Sequence, residues 1–78
     1  MVTPEQVKSY IEQGLACESV SVSGDGHHFE AVIVSPEFRG KTRLQQHQVV
    51  YRALGDRMRE EIHALSMRTM TPEDWTTR

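Results

Sequence analysis

Two short runs of alternating residues, joined by glycines, constrain this chain more than any other feature. Ser19-Val20-Ser21-Val22-Ser23 makes every second residue apolar, and Phe29-Glu30-Ala31-Val32-Ile33-Val34 returns with a denser apolar set. Alternation at period two predicts strands that bury one face. Gly24-Asp25-Gly26 lies between them and tolerates positive φ, so the pair predicts an antiparallel hairpin. Ser35-Pro36 ends the second strand, because proline brings no N–H to a ladder. A lone hairpin is marginal in water, so the flanking segments must cover its apolar face.

Those flanks read as helices. Thr3-Pro4-Glu5-Gln6 combines a capping threonine, a proline suited to the first helical position and a glutamine that completes a capping box. Val7, Tyr10, Ile11 and Leu15 then share one face, to an end near Gly14–Ala16. Residues 37–43 read as irregular. A long helix is predicted over 44–61, with Val49, Val50, Ala53, Leu54 and Met58 on its apolar side. Alternation over 62–67 predicts a third strand, and Thr71-Pro72-Glu73-Asp74-Trp75 repeats the Thr-Pro-Glu start of the first helix, with Trp75 as its anchor.

The order is α-β-β-α-β-α. A helix between the second and third strands permits a parallel, right-handed crossover. The expected architecture is α+β, an α/β sandwich: one single domain over 1–78, with a three-stranded mixed sheet and its helices on one face.

Charge and composition narrow the function. The formal charge is -2 across 78 residues, which gives no global attraction to nucleic acid or anionic lipid. Such binding would need a local patch, and Arg39, Lys41, Arg43 and Arg52 are the candidate group. The lone Cys17 forms no internal disulfide and has neither a base nor a cation beside it in sequence. No apolar run approaches the ~18 residues of a membrane span, and Met1–Glu5 lacks the regions of a signal peptide. A cytoplasmic protein without membrane association is expected. No phosphate loop, nucleophile elbow, paired-carboxylate motif or CxxC is present, so nothing supports an enzyme.

Four histidines remain: His27, His28, His47 and His63. Imidazole offers a lone pair to metals, but the spacing matches no local zinc signature. If both lay in the strand, His27 and His28 would point to opposite faces. Taken from the residues alone, each histidine is better explained by solvent or by a hydrogen bond than by a metal.

Three segments carry a family resemblance. Phe38-Arg39-Gly40, followed after a spacer by Gln46-His47-Gln48-Val49-Val50, resembles the BolA signature of Phe-x-Gly, Arg-His-Arg and an apolar helix. Ile62-His63-Ala64-Leu65 resembles that family's apolar-His-Ala segment, and Thr71-Pro72-Glu73-Asp74-Trp75 its Thr-Pro-x-x-Trp ending. The hairpin is most similar to the YrbA/IbaG branch. The resemblance implies a BolA-like fold similar to a class II KH domain, α-β-β-α-β with a short C-terminal helix. It also implies a partner, a monothiol (CGFS) glutaredoxin, and a [2Fe-2S] cluster bridged between the two proteins, with none held by the isolated chain.

By that resemblance His63 is the firm ligand. The second comes from the hairpin loop, with His28 preferred and His27 its solvent-facing neighbour. Histidine in place of thiolate removes negative charge from an iron and makes binding depend on pH. The alternative is a nucleic-acid-binding transcriptional regulator, with DNA as partner, using Arg39, Lys41, Arg43, His47 and Arg52. The departure of Gln46 and Gln48 from the family's arginines removes two charges from that surface. The chain is expected to be a monomer or a weak homodimer.

Overall fold

The computed structural model describes residues 2–77. The elements run α1 (Pro4–Gly14), β1 (Ser19–Gly24), β2 (His28–Val34), a 3-10 turn (Pro36–Phe38), α2 (Arg43–Leu54), α3 (Asp56–Glu60), β3 (Ala64–Met70) and α4 (Pro72–Thr76). The strand order is β1-β2-β3, with β1 antiparallel and β3 parallel to β2. This is the mixed α+β sheet expected from the pattern.

The hairpin register follows the alternation. Val20 faces Ile33 and Val22 faces Ala31, so these four and Phe29 fall on one side. That side carries α1 and α2, with α1 packed on β1 and α2 on β3. Phe29, Phe38, Ile11, Ile33, Val7 and Val50 are wholly buried between the layers. Burying each contributes roughly 1.5–3 kcal/mol. The opposite side of the sheet, with Ser21, Ser23, His28, Glu30, Val32, Ser66 and Arg68, is open.

Capping fixes the helix starts. Thr3 Oγ1 accepts from the Gln6 N–H at 3.2 Å, while the Thr3 N–H donates to Gln6 Oε1 at 2.8 Å. Thr42 and Gln45 form the same box at α2, which begins one residue earlier than the sequence pattern suggests. Each box satisfies two N–H groups that a helix start otherwise leaves bare.

Three expectations need correction. The helix predicted over 44–61 is two helices, because Gly55 takes φ 59, ψ -136 and breaks the ladder. Met58 still packs against the core, so the apolar face continues through the break and hides it from periodicity. The third strand runs Ala64–Met70 rather than 62–67. The Ile62 N–H donates to the Arg57 carbonyl, which ties Ile62 to the end of α3, and its side chain enters the core before the strand begins. Trp75 does not anchor α4; it is 38% exposed. α4 meets the preceding loop instead through Glu73, whose carboxylate accepts both Nε (2.9 Å) and Nη2 (2.5 Å) of Arg39.

Gly24 is indispensable to the hairpin. Its φ is 155, and a Cβ there would lie 2.4 Å from the His28 carbonyl oxygen and 2.8 Å from the Phe29 ring. Neither obstacle can retreat, since one is backbone and the other a buried aromatic. Gly24→Ala should cost about 1–3 kcal/mol, read as a lower urea midpoint with an unchanged slope.

Candidate ligand site at the end of the sheet

The connection between β1 and β2 is held by one carboxylate. Asp25 Oδ1 accepts the N–H groups of His27 and His28, each at 2.9 Å. These bonds, His28's first, hold the Asp25 carboxyl below its usual range. The chain then enters β2 at His28, so His27 stays in the turn.

Parallel pairing brings a distant segment to this turn. The Ala64 N–H donates to the His27 carbonyl at 3.1 Å. His63 precedes Ala64 and therefore lies beside His27. The two imidazoles stand perpendicular, with centroids 6.2 Å apart, and both residues are exposed. His63 occupies the bend before β3 rather than the strand itself.

His28 is placed differently. It lies on the open face of β2, with Nε2 3.2 Å from Ser66 Oγ on β3. The structure thus pairs His63 with His27, the histidine that the sequence analysis left in solvent, and engages the preferred His28 with Ser66. The reason is positional. Strand alternation governs His28 alone, since His27 is outside the strand.

His47 is remote from this group. It lines a groove of about 610 Å³ with Arg43, Met67, Arg68, Thr69, Met70 and Asp74. Cys17 is half-buried, and burial first, with Glu12 and Glu37 adding to it, pushes its thiol up to about 11. The thiolate is the ligating form, so Cys17 is poorly suited to metal.

The basic group does not form one patch. Arg39 is paired with Glu73, and Lys41 Nζ donates to the Glu37 carbonyl at 2.9 Å. Arg52 follows Arg43 by nine positions, which at about 100° each places it on the opposite side of α2. Arg43 and His47, one helical turn apart, share the groove, while Lys41 and Arg52 line a separate concavity with Glu37. Gln46, read from sequence only as a lost charge, fastens the preceding loop to β3. Its Oε1 accepts from Thr69 Oγ1 at 2.6 Å, and its Nε2 donates to the Lys41 carbonyl at 3.1 Å.

What this arrangement can do chemically follows from its donors. His27 and His63 set two imidazoles at one exposed corner. Among the described residues, no group of three or more His, Cys, Asp or Glu is placed to hold a metal. No helix is long and apolar enough to cross a membrane.

Asp25→Ala removes the acceptor shared by two N–H groups, and amide exchange at His27 and His28 should accelerate by about tenfold. Because the folded Asp25 carboxyl is lowered, its contribution is full above the ordinary value of 3.8 and is lost as pH falls through the lowered one. Exchange protection of the turn should persist from neutrality down to that ordinary value.

Known proteins share this sequence and shape. Residues 7–74 match the family described as BolA-like protein. The chain is 35% identical over 71 residues to the acid stress protein IbaG of Escherichia coli (strain K12), covering 90% of this chain and 84% of that protein. It is 40% identical over 52 residues to the DNA-binding transcriptional regulator BolA of Haemophilus influenzae, covering 67% of this chain and 50% of that protein. The solved structure of a BolA homologue from Coxiella burnetii superposes with a TM-score of 0.91 at 51% identity, covering 97% and 99% of the two chains. With the fold, the apolar-His-Ala segment and the sequence in agreement, the chain belongs to the BolA-like family.

Proposed function

We propose that this chain is a non-enzymatic adaptor that binds a monothiol glutaredoxin and shares a [2Fe-2S] cluster with it, in iron homeostasis or cluster trafficking. His63 and His27 would supply nitrogen to one iron, and thiolates of the glutaredoxin and of glutathione would serve the other. The observation that supports this reading most is the perpendicular His27–His63 pair, tied together by the Ala64–His27 backbone bond. A [2Fe-2S] cluster needs four ligands. Two nitrogens on this chain fit a cluster completed from outside. Their neutral charge would raise the cluster's reduction potential relative to a thiolate set.

A nucleic-acid-binding regulator is the second reading, and the name of the Haemophilus influenzae relative is what favours it. Against it, Arg39 is already engaged and Arg52 lies on another face of α2 than Arg43.

The decisive mixture contains this protein, a monothiol glutaredoxin, iron, sulfide and glutathione, followed by visible absorption and circular dichroism. The mixed complex should give a spectrum distinct from the glutaredoxin's own cluster. His63→Ala should abolish the difference and His27→Ala should alter it, whereas His28→Ala and His47→Ala should leave it in place. A spectrum identical to that of the glutaredoxin alone would refute the proposal.

A further inference from the structure

β3 is an edge strand, and its outer side opens onto the groove that holds His47. The direction of its backbone groups follows from two hydrogen bonds. The Ala64 N–H donates toward β2, to His27, and the Met70 carbonyl accepts from the Ser35 N–H. Even-numbered residues of β3 therefore turn their N–H and C=O groups to β2. Alternation turns those of Leu65, Met67 and Thr69 outward. Among the described residues these outward groups have no backbone partner, and such a row is a template for another extended chain.

The side chains around that row are mostly basic. Thr69 reaches the helix layer, where it bonds Gln46, and Leu65 and Met67 pack against the core. Arg68, with the opposite parity, stands on the open face of the sheet and is exposed. Arg43 and His47 approach the same edge from α2. The edge thus has a cation on each side. Among the described residues, Arg43, His47 and Arg68 make no ion pair or side-chain hydrogen bond. Asp74 is the one acid that lines the groove.

We infer that the outer edge of β3 accepts an extended acidic segment of a partner protein as an added strand. Its backbone would pair with Met67 and Thr69. Its side chains would alternate between Arg43 with His47 on the helix side and Arg68 on the open side, so adjacent acidic residues would each meet a cation. Nucleic acid fits less well, because a phosphodiester accepts hydrogen bonds but cannot satisfy the outward carbonyls. A second copy also fits poorly. Its β1 edge carries serine, valine and glycine but no acid against the arginines, and its β3 edge would set arginine against arginine. The groove begins roughly 10 Å along β3 from the Ala64 end, at ~3.3 Å per residue, so it is separate from the histidine corner.

The test uses an end-blocked fluorescent hexapeptide with two adjacent central glutamates flanked by valines, titrated against the full chain. Fluorescence polarisation and amide shifts are recorded. Binding with shifts at Met67 and Thr69 is expected. Arg43→Glu and Arg68→Glu should each weaken it about tenfold, equivalent to ~1.4 kcal/mol. Both arginines are exposed, so circular dichroism should show these variants folded. A peptide N-methylated at alternate amides should not bind. His63→Ala should bind normally, so failure of the iron–sulfur reading would leave this result standing. Equal binding by the glutamine analogue or the N-methylated peptide would overturn the inference. So would displacement by a short DNA duplex with the same shifts, or a concentration-dependent dimer through β3.

Discussion

The hydrogen bond from the Ala64 N–H to the His27 carbonyl opens the parallel ladder between β2 and β3. The other end of that ladder is closed by the Ser35 N–H on the Met70 carbonyl. Between them the register pairs His28 with Ala64 and Val34 with Met70. A slip of one residue would reverse every side chain of β3. Leu65 and Met67 would leave the core, and His63 would move away from the turn. The candidate ligand pair thus depends on the same pairing that completes the core.

That dependence explains what was legible in the sequence. The hairpin, α1 and the parallel crossover were readable because each rests on local pattern: alternation, a capping box and an intervening helix. The break at Gly55 was not, since a glycine inside a helical pattern costs only about 1 kcal/mol and Met58 continues the apolar face. The start of β3 was also hidden. Ile62 belongs to the alternating run, but its backbone bonds to α3 and its side chain serves the core. The proposal of His63 as a ligand rests on family resemblance, and its neighbour could not be read from spacing. Choosing between His27 and His28 requires knowing which residue opens β2, and Asp25 decides that by binding both N–H groups.

The sheet has one covered face, one open face and two edges, and chemistry gathers where coverage ends. The histidine corner occupies the start of β2 and β3. The groove at the far end of β3 is bounded by α2 and α4, which are held by Gln46–Thr69 and Arg39–Glu73. Gln46 thus has a positive structural role where sequence suggested only a missing charge. The two surfaces divide naturally into one that offers nitrogen donors and one that offers backbone groups with cations.

The pairing of His27 with His63 as ligands is tested most directly by pulsed electron paramagnetic resonance. The reduced mixed complex would be assembled with ¹⁵N-histidine in this chain alone. Two coupled histidine nitrogens are expected in the wild type, and one in His27→Ala. Two couplings that survive His27→Ala but fall to one in His28→Ala would contradict the account.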